Sequence, residues 1–147
     1  MDRVLATARR SLDRLTPAEA AAEHAGGALL IDIRNQAQRR RGGTIPGAVA
    51  IDRTVLEWRC DPTSPWRMDV PIEHDTRLIV ICAEGYSSSL AAASLRRLGL
   101  KRATDVVGGF EGWVQAGLPV APARPRLRRI ADRSKMAGEG GFEPPIS

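Results

Sequence analysis

Cys82 is the residue of this chain best placed to do chemistry. The run before it, Leu78-Ile79-Val80-Ile81, is apolar and β-branched and reads as a buried strand. The stretch after it, Ser88-Ser89-Leu90-Ala91-Ala92-Ala93-Ser94-Leu95, reads as a helix with Ser87 or Ser88 as its N-cap. Between them, Ala83-Glu84-Gly85-Tyr86 forms a short loop at the carboxyl end of a strand, the edge where open α/β sheets bind ligands. A loop curling into a helix N-terminus aims several backbone N–H groups at one point, which favours an anion. A cysteine held there is favoured as the thiolate, the reactive form. The geometry suits a nucleophilic or sulfur-carrying cysteine. The plainer alternative is a small buried hydrophobe, the commonest fate of a lone cysteine after an apolar strand.

The flanking motifs weigh against that alternative. In chain order they are Ile31-Asp32-Ile33-Arg34, Ile45-Pro46-Gly47-Ala48, the Cys82 loop, Arg96-Arg97-Leu98-Gly99-Leu100, and Gly108-Gly109-Phe110-Glu111-Gly112-Trp113 with Gly117-Leu118-Pro119. Together they resemble a rhodanese domain, over roughly Leu15 to Val120; several motifs in order are a specific signal where one would be weak. The resemblance implies a rhodanese-like three-layer α/β fold, a five-stranded parallel sheet with helices on both faces. It implies a sulfurtransferase in which Cys82 takes a sulfane sulfur from thiosulfate or a protein persulfide and passes it on to a thiol or cyanide; the N-terminus, which lacks a secretory pattern, makes the cytoplasm the expected compartment. The backbone N–H groups from Ala83, Glu84, Gly85, Tyr86, Ser87 and Ser88 would bind the transferred sulfur, and no metal or organic cofactor is needed. Asp32 and Arg34 would serve as structural support beside the loop. A non-catalytic rhodanese-like binding or sulfur-carrier module is the alternative.

Four positions bear on that pattern. Many active relatives carry Arg five residues after the cysteine, where this chain has Ser87; related phosphatases carry Arg six residues after it, where this chain has Ser88. Without that cation a phosphoryl transition state is poorly stabilised. Thr44 stands where relatives commonly carry His, so no general base is assigned there. Glu84 puts a carboxylate in the loop, which repels a dianion and favours a persulfide donor over thiosulfate.

The elements that must position the loop follow from the pattern of the chain. Residues 1–15 place Val4, Leu5, Ala8, Leu12 and Leu15 near helical spacing, with Arg9, Arg10 and Arg14 as a solvated basic face. Thr16-Pro17-Ala18-Glu19 is a capping-box helix start and Gly26-Gly27 a stop. Strands are expected at 28–33, 49–51 and 102–107, and helices at 35–41, 53–59 and from Gly108-Gly109 onward, with Trp113 in the core. Strand–helix alternation is itself the mark of an α/β fold with a parallel sheet. Arg39-Arg40-Arg41 reads most simply as a solvated face, with one arginine reaching the site mouth as the alternative. Cys60 reads as an incidental cysteine in a variable surface loop, with a resolving thiol for Cys82 as the other reading.

Composition bounds the rest. A chain of 147 residues, 43% hydrophobic and 27% charged, suits one soluble domain. No apolar run approaches the ~18 residues a membrane span needs. The first residues lack a secretory signal pattern. Two cysteines make no disulfide framework, and His24 and His74 lie at no metal-ligand spacing, so no metal site is expected. The net charge of +5 is concentrated late: from Arg124 on, five Arg and one Lys face Asp132, Glu139 and Glu143. The domain itself therefore offers no basic face for nucleic acid. We read 1–14 as an N-terminal helix, 15–120 as the domain, and 121–147 as a linker and disordered tail. Gly138 to Pro145 resembles translated transfer-RNA gene sequence, as if the frame ran into a neighbouring gene.

Overall fold

A computed structural model describes residues 1–123; the readings made for Arg124 onward lie outside the described residues. Four parallel strands, β1 (Leu29–Asp32), β2 (Val49–Ala50), β3 (Leu78–Ile81) and β4 (Thr104–Asp105), form one sheet in the order β2-β1-β3-β4. The register pairs Asp32 with Ile81 and Val80 with Asp105, so both carboxylates sit at the carboxyl edge beside Cys82.

Six helices accompany the sheet: α1 (Asp2–Arg9), α2 (Pro17–Ala25), α3 (Gln36–Gly42), α4 (Leu56–Cys60), α5 (Ser87–Arg97) and α6 (Gly109–Gln115). Side chains alternate across a strand, so a wholly apolar strand must be covered on both faces. Every residue of β3 is buried. Leu78 and Val80 join a core with Leu56, Cys60, Ala91 and Leu95. Ile79 and Ile81 point the other way, into a core with Ala20, Phe110 and Trp113. Thus α4 and α5 cover one face and α2 and α6 the other, with α1 lying on α5.

The expected parallel α/β architecture is present, with four strands where five were expected. The place beside β4 is held by Leu15 alone, bridged in parallel to Val106: its N–H donates to Asp105 O at 3.0 Å and its carbonyl accepts from Val107 N–H at 2.8 Å. The bridge cannot extend past Leu15 toward the C-terminus, because Thr16 caps α2 with a reciprocal Glu19 capping box and Pro17 starts the helix without an N–H to offer.

Three other expectations change. The first helix ends at Arg9 rather than near Leu15, and none of its residues is fully buried. Cys60 is the last residue of α4 and is 0% exposed, part of the core rather than of a surface loop. The expected helix over 53–59 is a 3-10 turn at Arg53–Val55 followed by α4.

Candidate functional site

Cys82 follows β3 directly and is 7% exposed. Its thiol lies at a pocket of about 300 Å³ lined also by Ile33, Arg34, Gln38, Arg53, Ala83, Glu84, Tyr86 and Ser87. Gly85 N–H donates to Cys82 Sγ at 3.1 Å and Ser88 N–H donates to it at 3.3 Å. Gly85 takes φ +90°, where any Cβ would meet Gly108 N at 2.8 Å. Only glycine makes this turn without strain.

Three of the loop's carbonyls are held by partners outside it, while the Gly85 and Ser88 N–H groups face the sulfur. Phe110 N–H donates to Cys82 O at 2.8 Å and Glu111 N–H to Ala83 O at 3.0 Å, both from the first turn of α6. Gly85 O accepts from Arg9 Nη2 at 2.8 Å and Arg14 Nη2 at 2.9 Å. A concavity of inward N–H groups at the head of a helix holds negative charge without an ionised side chain.

The helix start differs from expectation. Tyr86 occupies the N-cap position and makes no side-chain cap, and α5 begins at Ser87. Ser88 does not cap because its hydroxyl donates to Asp105 Oδ2 at 2.8 Å, alongside Ser89 Oγ at 2.8 Å. Asp105 is fully buried and also paired with Arg14, Nε to Oδ1 at 2.8 Å. The carboxylate thus ties the first turn of α5, whose Ser88 N–H meets the sulfur, to β4.

Asp32 and Arg34 form a buried ion pair. Arg34 Nη2 donates to Asp32 Oδ2 at 2.8 Å with both side chains 2% exposed. The guanidinium also donates to Gly43 O at 2.8 Å and stacks 3.6 Å from the Phe110 ring centroid. Arg34 therefore joins β1, the end of α3 and α6 while lining the pocket.

Of the candidates read from the sequence, Cys82, Ala83, Glu84, Tyr86, Ser87 and Arg34 line the pocket; Gly85 and Ser88 stand behind the sulfur. Asp32 acts only through Arg34. Arg53 and Gln38, which no sequence motif singles out, also line the pocket; the arginine at the mouth is Arg53 rather than one of 39–41, and Arg39 bonds the Arg34 carbonyl. Arg53 is partly offset by Glu57, 2.9 Å away. No local motif marks Asp105, Arg9 or Arg14 as part of the site, since each meets the loop across more than 15 residues of chain.

Comparison with known proteins agrees with this geometry. The rhodanese-like domain model matches residues 16–116. The thiosulfate sulfurtransferase GlpE of Pseudomonas savastanoi pv. phaseolicola is 35% identical over 100 residues, 68% of this chain and 85% of that one. GlpE of Actinobacillus succinogenes is 45% identical over 51 residues, 35% of this chain; the match spans 46% of that enzyme's length. A Rhodopseudomonas palustris protein of known structure, named a possible tyrosine phosphatase, has 37% identity and a TM-score of 0.73 over 80% of this chain and 90% of that one.

Proposed function

Because this chain belongs to the rhodanese-like domain family, we propose that it is a sulfurtransferase that carries a sulfane sulfur as a persulfide on Cys82. The observation that carries this reading is the pair of amide contacts on Cys82 Sγ, at 3.1 and 3.3 Å, at the edge of an open pocket. Such donors favour a thiolate and hold the charge of whatever sulfur is added to it.

In the first half-reaction the Cys82 thiolate attacks the outer sulfur of a donor. A new S–S bond forms, and the donor's own bond to that sulfur breaks with both electrons leaving on the departing group, sulfite in the case of thiosulfate. In the second half, cyanide or a thiolate attacks the terminal sulfur of the persulfide, and Cys82 leaves as thiolate. The charge moves by about one sulfur atom throughout, so one fixed set of N–H dipoles serves both halves.

The pocket walls bear on the donor. Glu84 is exposed at the wall and opposes a dianion, whereas Arg34 and Arg53 attract one but are each already paired, with Asp32 and Glu57. A persulfide donor, carrying less charge than thiosulfate, fits this balance better. Phosphoryl transfer fits less well. Ser88 stands where a phosphatase loop places its arginine, and its hydroxyl is committed to Asp105. The loop itself therefore offers dipoles to a phosphoryl group and no guanidinium.

Thiocyanate release from cyanide, with thiosulfate and with a low-molecular-weight persulfide as donors, tests the reading. Double-reciprocal plots are expected to be parallel, the mark of an enzyme that is covalently loaded between substrates. The absence of thiocyanate from both donors, in a protein whose Cys82 is still open to alkylation, would leave the carrier or binding module.

A further inference from the structure

Two guanidinium groups converge on one backbone carbonyl beside the candidate nucleophile. Arg9 and Arg14 each donate an Nη2 hydrogen to Gly85 O, at 2.8 and 2.9 Å. Each is held in place by a second contact. Arg9 Nε donates to Ser89 Oγ at 2.9 Å, and its guanidinium lies 5.8 Å from the Tyr86 ring centroid. Arg14 grips the buried Asp105 at two points, 2.8 and 3.1 Å.

A trans peptide carries its C=O and N–H in opposite directions. Fixing the Gly85 carbonyl on the two arginines therefore turns the Tyr86 N–H away from them. Among the described residues that N–H has no acceptor, and Tyr86 lines the pocket at Cys82. Two cations on the carbonyl also polarise the peptide and strengthen its N–H as a donor.

We propose that Arg9 and Arg14 are positioning residues, which hold the Gly85–Tyr86 peptide so that the Tyr86 N–H serves as a further donor to the negatively charged sulfur. The N-terminal helix, by carrying Arg9, becomes part of the site rather than an appendage to the domain. The kinetic consequence rests on the sulfur-transfer reading; the effect on the thiol does not.

Arg9→Met keeps the apolar stem and removes the cation, and Arg9→Lys restores one charged donor. In the full chain, with thiosulfate and cyanide, Arg9→Met is expected to lose about tenfold in kcat, with KM changed less than about twofold. Its melting temperature should stay within a few degrees of the wild type, and Arg9→Lys should recover most of the lost rate. If Arg9→Met melts early, Arg9→Gln takes its place in the same comparison. A wild-type kcat in the neutral variant, a loss confined to KM, or a lysine no better than methionine overturns the proposal.

Alkylation of Cys82 by iodoacetamide at pH 7, followed by mass spectrometry, reads the same device without a sulfur donor. The neutral variant should react several-fold more slowly than the wild type and Arg9→Lys close to it. Should the wild type transfer no sulfur while this contrast holds, the sulfur-transfer reading fails and the positioning role stands. Equal alkylation rates in all three proteins, with the wild type inactive, overturn the positioning role.

Discussion

The two cysteines have opposite surroundings. Cys82 receives two N–H groups, whereas Cys60 is 0% exposed in the core. Burial, with a smaller push from Glu57, raises the Cys60 thiol to about 12, so it stays protonated at neutral pH. Cys82→Ser is therefore expected to abolish thiocyanate formation and leave folding intact, since a hydroxyl carries no transferable sulfur. Cys60→Ser is expected to keep the transfer reaction but to lose about 1–3 kcal/mol of stability, the cost of burying a hydroxyl among apolar neighbours. Equal losses of activity in both variants, measured well below their melting temperatures, would restore a resolving role to Cys60. Glu84→Arg is expected to raise kcat/KM for thiosulfate about tenfold at low salt, less at high salt, and hardly at all for a neutral trisulfide. An equal gain for both donors would mean that the carboxylate does not act on charge. At this scale the sequence disclosed what is contiguous, the Cys82 loop and the Asp32–Arg34 pair. It hid Arg9, Arg14, Arg53 and Asp105, because their contacts with the site are made only by the fold.

Among the elements, α6 does more than cover the sheet. Its first turn donates to the carbonyls of Cys82 and Ala83, and Gly109 lets it approach. Gly109 has φ +59°, and a Cβ there would lie 2.6 Å from Cys82 O and 2.7 Å from Gly85 N. Gly109→Ala is expected to displace the loop, lowering sulfur transfer more than tenfold and the melting temperature by several degrees. Wild-type activity in that variant would show that the loop is not set by α6. Element types with strong local chemistry were legible: the Thr16–Glu19 capping box, the apolar run of β3, the Gly-Gly break before α6. The missing fifth strand was not, since its shortening to Leu15 depends on how soon α2 must begin beside β4. The start of α5 is hidden from the sequence for a related reason: a buried carboxylate outcompetes the helix end for the Ser88 hydroxyl.

At the scale of the molecule, the face of the sheet under α4 and α5 carries a pH-sensitive tie. Burial pushes the Glu57 carboxyl up, but hydrogen bonds from Ser94 and Arg53 outweigh it and leave the group below its usual range. Ser94 Oγ donates to Glu57 Oε2 at 2.6 Å, joining α4 to α5. A carboxyl lowered in the folded state adds stability above its unfolded value and loses it as pH falls through the folded one. Glu57→Gln should therefore melt below the wild type at pH 7, with the gap closing as pH falls below about 4. A gap independent of pH would assign the effect to lost packing. The general architecture was readable because both cores obey the two-residue alternation of the strands. Among the described residues no helix is long and apolar enough to cross a membrane.

Central to the proposed function is that sulfur resides on Cys82 between donor and acceptor. The direct measurement is peptide-level mass spectrometry of the full chain after incubation with thiosulfate or a persulfide and removal of the donor. One added sulfur is expected on the peptide that contains Cys82, none on the peptide that contains Cys60, and loss of that sulfur on adding cyanide with release of an equal amount of thiocyanate. Thiocyanate formed by a protein that never carries sulfur on Cys82, or a sulfur found there that cyanide cannot remove, would contradict the account.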